Sequence, residues 1–233
     1  IIAEIGVNHN GNLNIAKKLI DVAKRAGCDF VKFQSYKSEN LVQSKINIIS
    51  YQKKNLKKNI KQIEMLKKYE LSKKDHQVLI GYCKKRKINF LSSPFDVESL
   101  KLLFSLNIFD IKIASGEITH YALLKQIAKK AKRVFLSTGM SDIKEIKNAL
   151  KTLYKYGLNK KKIFVMHCHT DYPTKLDDVN LNAMKVIEKK FQVKVGYSDH
   201  TLGNETAVAS IALGATVIEK HITLGRDKIG PDH

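Results

Sequence analysis

IIAEIGVNHNGNLNIAKKLIDVAKRAGCDFVKFQ, residues 1–34, holds a short β-rich run (Ile1–Val7), an amphipathic helical pattern (Ile15–Ala26) and a second β-rich run (Phe30–Gln34). A strand, a helix and a strand in that order form a βαβ unit, whose two strands pair in parallel. The pattern recurs. Further β-rich runs fall at Asn89–Ser92, Ile111–Ala114, Val134–Ser137, Ile163–His167, Val193–Tyr197 and Thr216–Thr223. Helical patterns lie between them at Asp75–Arg86, Ser99–Leu106, Tyr121–Lys130, Lys144–Tyr156, Leu181–Lys190 and Glu205–Leu213. Eight such runs predict an α/β fold of the (β/α)8 TIM-barrel type, parallel and eight-stranded. An open doubly wound sheet gives the same alternation.

At 233 residues the chain has the length of one barrel, and no linker or low-complexity tract divides it. A single catalytic domain over residues 1–233 is expected. Gly230-Pro231-Asp232-His233 lies just past the eighth run, so the barrel is expected to lack its last helix. The segment Ser38–Leu71 is a long connection rich in Lys, Asn, Gln and Ile. Connections of that length are usually functional or carry helices of their own.

No run of about 18 uncharged apolar residues exists, so no membrane span is expected. The chain opens on IIAEIGV without a basic n-region. Cys28, Cys83 and Cys168 are odd in number and lack CxxC spacing, which points to a reducing, cytoplasmic setting. The net charge is +20, with clusters at Lys53-Lys54, Lys84-Lys85-Arg86-Lys87 and Lys160-Lys161-Lys162. They read as solvated lysine-rich surface. Arginine, the better phosphate fork, occurs only at Arg25, Arg86, Arg133 and Arg226. A nucleic-acid-binding protein is the alternative from another class; it would bind with steep salt dependence, yet no base-stacking aromatic platform is evident.

Strands buried on both faces should read as continuous Val, Ile and Leu. Several here do not. Glu4 interrupts the first run, and Lys32 and Gln34 share one face of the second by the two-residue period. Lys112 interrupts the fourth, followed by Ser115, Gly116 and Glu117. The seventh ends in Ser198-Asp199-His200, and Glu219 and His221 share a face of the eighth, alternating with Lys220. Removing the partner of one buried charge costs several kcal/mol, roughly 3–5. Such charges need each other, a metal or a ligand, and in a barrel they converge at the C-terminal face. Singly, each is equally well read as a structural ion pair.

The residue types suggest the chemistry. Lys32 and Lys112 can neutralise an anion whose oxygens accept hydrogen bonds from Ser93, Ser115, Ser137 and Ser198. His200 and His221, at adjacent strand ends, can supply two imidazoles to a divalent metal, solvent or substrate completing the shell. Glu4 and Glu117 remain for proton transfer or sugar recognition. His9, His120 and His233 receive no assignment, and Cys168 reads as a small buried core residue.

At these positions the sequence resembles the sialic acid (N-acetylneuraminate) synthase family. The matching stretches are AEIGVNHNG (Ala3–Gly11), AGCDFVKFQ (Ala26–Gln34), LSSPFD (Leu91–Asp96), KIASGEI (Lys112–Ile118), LSTGM (Leu136–Met140), HCHTDYPT (His167–Thr174), VGYSDHTLG (Val195–Gly203) and GATVIEKHITLGRDKIGPDH (Gly214–His233). They stand in family order and touch every predicted strand.

The resemblance implies a barrel mouth that binds phosphoenolpyruvate, a divalent metal (Mn2+ first, Mg2+ or Co2+ as alternatives) and an N-acylated mannosamine-like aldehyde. By the family pattern, Lys32, Gln34, Ser93, Lys112, Ser115, Ser137 and Ser198 hold phosphoenolpyruvate, and His200 and His221 hold the metal. Glu117, Thr170, Tyr172 and Asp232 face the sugar, and Glu4 and Glu117 are the catalytic acid/base candidates. The resemblance also implies a homodimer of the full-length protein, in which a C-terminal antifreeze-like domain reaches into the partner's site with an arginine. Nothing in this sequence matches that domain.

Ser93 stands where the family often has Thr, keeping the hydroxyl. His169 and Thr170 replace the commoner Thr-Ser or Thr-Asn, and Asp-Tyr-Pro-Thr followed by Asp178-Val179-Asn180-Leu181 is similar to the bacterial legionaminate branch. The expected reaction is a condensation of phosphoenolpyruvate with the aldehyde, releasing phosphate. A related phosphoenolpyruvate-dependent synthase acting on a phosphorylated aldose is the alternative.

Overall fold

The computed structural model describes residues 1–57 and 59–233, with the side chains of Tyr51 and Lys54 left out. The side chain of Lys54 in the Lys53-Lys54 cluster, and Lys58 within the Ser38–Leu71 connection, therefore fall outside what is described. The strands are β1 (Ile2–Gly6), β2 (Phe30–Ser35), β3 (Asn89–Pro94), β4 (Asp110–Ile113), β5 (Arg133–Ser137), β6 (Ile163–Cys168), β7 (Lys194–Asp199) and β8 (Ile218–His221). They follow the order β1-β2-β3-β4-β5-β6-β7-β8 as a closed barrel. The closed arrangement, not the open sheet, is the one this chain adopts.

The helices are α1 (Leu13–Arg25), α2 (Ser38–Leu41), α3 (Ser50–Leu56), α4 (Gln62–Tyr69), α5 (Lys73–Arg86), α6 (Val97–Ser105), α7 (Tyr121–Lys130), α8 (Ile143–Lys155), α9 (Asn182–Phe191) and α10 (Glu205–Ala212). Most fall within two residues of the sequence patterns. Local chemistry explains their ends. Asn12 accepts from the N–H groups of Asn14 and Ile15 to start α1, whose buried Ala16, Leu19, Ile20 and Ala23 follow the helical period. Reciprocal capping boxes start α5 (Ser72 with Asp75) and α8 (Asp142 with Glu145). From Ile222 to His233 the chain runs through turns without a helix.

Two compact units make up the chain: Ile1–Leu106 with His221–His233, and Asn107–Lys220. In the first, β1 pairs with β2 so that Glu4 faces Lys32, and the register shifts between Glu4 and Gly6. Gly6 sits at φ +50°, the left-handed region that a side chain resists, and a Cβ there would lie 3.1 Å from Glu4 Oε1. The bulge turns the chain out of the strand while keeping the Glu4 carboxylate in place. β2 pairs with β3, setting Gln34 opposite Ser93. The long connection is folded, not structureless: Ile48, Leu56, Met65 and Tyr69 pack with Val7, and Glu70 accepts from Ser38 N (2.9 Å) and Ser38 Oγ (2.7 Å).

In the second unit, β4 to β8 pair in sequence, with Ser198 opposite both Cys168 and Glu219. The close packing of β7 against the segments on either side depends on Gly196. A Cβ there would meet Met166 Sδ at 2.5 Å and the Val217 carbonyl at 2.7 Å. Gly196→Ala should therefore overpack this layer and cost about 1–3 kcal/mol, measured as a lower urea midpoint at unchanged m-value.

Candidate functional site

Polar side chains gather at the C-terminal ends of strands in each unit. In the first, the Lys32 ammonium lies 2.9 Å from Glu4 Oε2, both side chains at most 6% exposed. Ser93 Oγ, also buried, is 3.5 Å from Lys32 Nζ, and Gln34 is half-buried beside them. The NHNG loop ties down the segment after β8. Asn8 Nδ2 donates to the carbonyls of Ile222 (3.0 Å) and Asp232 (3.1 Å), and Asn10 Nδ2 donates to that of Ile229 (3.0 Å). From the long connection, Asn55 Nδ2 donates to the Pro231 carbonyl (2.8 Å). Asp232 is thereby held where burial pushes its carboxyl up to about 6, with the positive charge of Lys32 pulling the other way. His221 closes β8 and is half-buried.

In the second unit the pattern repeats with other residues. Lys112 Nζ donates to Glu219 Oε1 at 3.0 Å, both side chains at most 5% exposed, and Ser198 Oγ donates to the same oxygen at 3.1 Å. Ser115 opens a 3-10 turn after β4; its Oγ accepts from Gly139 N at 2.9 Å and lies 3.2 Å from Cys168 Sγ. Ser137 Oγ is buried and meets no partner among the described residues, an orphan hydroxyl suited to a ligand oxygen. Glu117 bonds the His120 ring at 2.7 Å.

His200 is set by its neighbours. Its Nδ1 bonds the His169 carbonyl at 2.6 Å, which leaves Nε2, 3.5 Å from Ser198 Oγ, as the acceptor in the neutral ring. A carbonyl on the far nitrogen is the usual support of a metal-binding imidazole. Among the described residues no three His, Cys, Asp or Glu side chains are grouped as a metal site. Tyr172, exposed, stacks on His200 at 4.1 Å between ring centroids, and Thr170 is exposed in the same loop.

Of the strand charges seen in the sequence, Glu4, Lys32, Lys112, Asp199 and Glu219 are buried, Glu117 and Lys220 are half-buried, and the two buried lysines are already paired. Lys220, which alternates with Glu219 and His221, pairs with Asp199. Glu219 and the asparagines of the NHNG loop have roles that the sequence alone does not reveal. Glu219 lay on the face already assigned to His221; that it would be the counter-ion of Lys112, 107 residues away, had no local signal. The imidazole of His167, whose basicity burial lowers to about 4, likewise gives no sign in the sequence.

The NeuB family's sequence profile matches residues 19–233.

The chain belongs to the NeuB family.

It is 50% identical over 233 residues to the N,N'-diacetyllegionaminic acid synthase of Campylobacter jejuni, covering all of this chain and 70% of that protein. The enzyme of the same name from Legionella pneumophila is 43% identical over 235 residues, covering all of this chain and 66% of its own length. Among solved structures, the N-acetylneuraminic acid synthetase of Leptospira borgpetersenii in complex with citrate superimposes with a TM-score of 0.88 at 34% identity, over 99% of this chain and 75% of that one. The barrel is therefore that of NeuB-family synthases. Among the described residues no helix is long and apolar enough to cross a membrane.

Two outcomes follow from the electrostatics. Glu219→Ala leaves Lys112 without its carboxylate and should cost roughly 3–5 kcal/mol, whereas Lys112→Met with Glu219→Leu should recover most of that loss in urea unfolding. Asp232 has a raised carboxyl, so its contribution to stability is full below its ordinary value of 3.8 and is lost as pH rises through about 6. Asp232→Asn should gain stability relative to the parent between pH 5 and pH 7.5, compared by thermal melts.

Proposed function

We propose that this NeuB-family protein is a phosphoenolpyruvate-dependent nonulosonate synthase of the legionaminate branch. Its acceptor is an N-acylated, mannosamine-like aldehyde. Carbon 3 of phosphoenolpyruvate bonds to the aldehyde carbon, water adds at carbon 2, and the bond from carbon 2 to the phosphate oxygen breaks to release phosphate. The observation that carries the reading is the pair of buried Lys–Glu contacts within the strands, Lys32 with Glu4 and Lys112 with Glu219, each beside a serine hydroxyl.

Each lysine offers an anion a preorganised positive charge in a setting that excludes water. Ser93 and Gln34 beside Lys32, and Ser115, Ser137 and Ser198 in the second unit, would donate to the carboxylate and phosphate oxygens. Glu4 and Glu117 are the groups to accept a proton from the water that adds at carbon 2. Thr170, Tyr172, Glu117 and Asp232 would contact the sugar hydroxyls. His200 and His221 would hold a divalent cation, Mn2+ by preference, which supplies Lewis-acid polarisation of the aldehyde. The three free thiols, Cys28, Cys83 and Cys168, support a cytoplasmic setting. The full-length protein is proposed to work as a homodimer on these small molecules.

Phosphate release from phosphoenolpyruvate should require Mn2+ and an acylated amino aldose, and should fail with a sugar phosphate in its place. His200→Ala and His221→Ala should each abolish the manganese-dependent rate while leaving the circular dichroism spectrum and melting temperature unchanged. Full turnover in either variant overturns the metal assignment; preference for the sugar phosphate overturns the acceptor.

A further inference from the structure

We infer that a cavity between α8 and α9 holds an acylamino substituent of the acceptor sugar, with His167 and His169 bonding its amide; this rests on the acceptor proposed above. The cavity measures about 490 Å3, within the roughly 300–1,000 Å3 of small-molecule sites. It shares walls with groups already assigned to the substrates. Thr170, proposed for the sugar, lines it with Thr138 and Cys168, and Cys168 Sγ is 3.2 Å from Oγ of Ser115, proposed for phosphoenolpyruvate. The loops meet closely: a Cβ on Gly139 would lie 2.8 Å from Thr170 Cγ2 and 2.9 Å from Ser115 Oγ.

Its polar wall asks for a particular ligand. His167 is 8% exposed and bonds the main-chain carbonyl of Asn180, while its Nε2 meets no partner among the described residues. The bonded nitrogen is therefore Nδ1, as donor, and Nε2 presents a lone pair that needs an N–H or O–H. His169 Nε2 is buried in the same wall, its ring 5.2 Å from that of His167, and is likewise without a partner. In its Nε2–H form it can donate to a carbonyl oxygen. Each orphan nitrogen costs free energy that a matching ligand restores.

The facing wall is apolar, built from Met140, Ile143, Ile146, Ala183 and Ile187. A group carrying an N–H and a C=O beside a small hydrocarbon satisfies both walls, and that group is an acylamino substituent. An anion would meet the Asp171 carboxylate and an imidazole lone pair. A bare hydroxyl would leave the apolar wall unmatched. An aldose with two acylamino groups can present one here while its aldehyde end remains with the residues named above.

The test compares two acceptors, N-acetylmannosamine and a hexose aldehyde bearing two acetamido groups, on the full chain at saturating phosphoenolpyruvate and Mn2+. His169→Ala removes one bond, and Val186→Trp, at a lining residue 53% exposed, narrows the cavity without disturbing a buried position. Both should raise KM for the diacylated acceptor roughly tenfold to a hundredfold, leave KM for phosphoenolpyruvate unchanged, and reduce the preference over N-acetylmannosamine. An unchanged preference in active variants overturns the inference. Should the parent release no phosphate with either sugar, the proposed reaction fails, and saturation-transfer NMR of the diacylated sugar decides the cavity separately. Binding that Val186→Trp abolishes supports it; equal binding to parent and variant overturns it.

Discussion

A lysine ammonium inside a strand layer has to be compensated, and much of this protein is arranged around doing so twice. Lys32 and Lys112 lie in strands whose other residues are largely Phe, Val and Ile, and each is almost fully buried. A glutamate meets each at about the distance of a charge-assisted hydrogen bond. Buried pairs of this kind are no more stabilising than well-packed apolar residues of similar volume. Their value is that they hold fixed charge, in a low-dielectric setting, where an anion can use it.

The backbone around the first pair is shaped to keep it there. The bulge at Gly6 and the bond from Ile222 N to the Glu4 carbonyl (2.9 Å) anchor the strand on either side of the carboxylate. The folded connection from Ser38 to Leu71 then packs on Val7 and reaches the segment after β8 through Asn55. What began as an irregularity in the alternation of strands and helices is thus a support for Asp232. The partial burial of that carboxyl raises its basicity near Lys32, leaving it close to its titration range at neutral pH.

In the second unit, main-chain carbonyls set the histidines. His169 lends its carbonyl to His200 Nδ1, and Asn180 lends its own to His167. Each carbonyl fixes which nitrogen of its ring faces outward from the bond, the first from within HCHTDYPT and the second from six residues beyond it. The loop's departure from the commoner family residues at His169 and Thr170 falls in this same place.

The fold was legible from the chain itself because period-two and helical periodicities are local, and the polar residues that broke the strands were conspicuous against them. Glu4, Lys32, Lys112, Ser198 and Glu219 announced that something on those faces needed compensation. Which charge met which was not legible: Lys112 and Glu219 are joined by strand register and closure of the sheet, not by spacing along the sequence. The same holds for the capture of Asp232 by the NHNG loop and for the unpartnered nitrogens of His167 and His169. Burial and orientation come from packing between segments distant in sequence, and only the tertiary structure decides them.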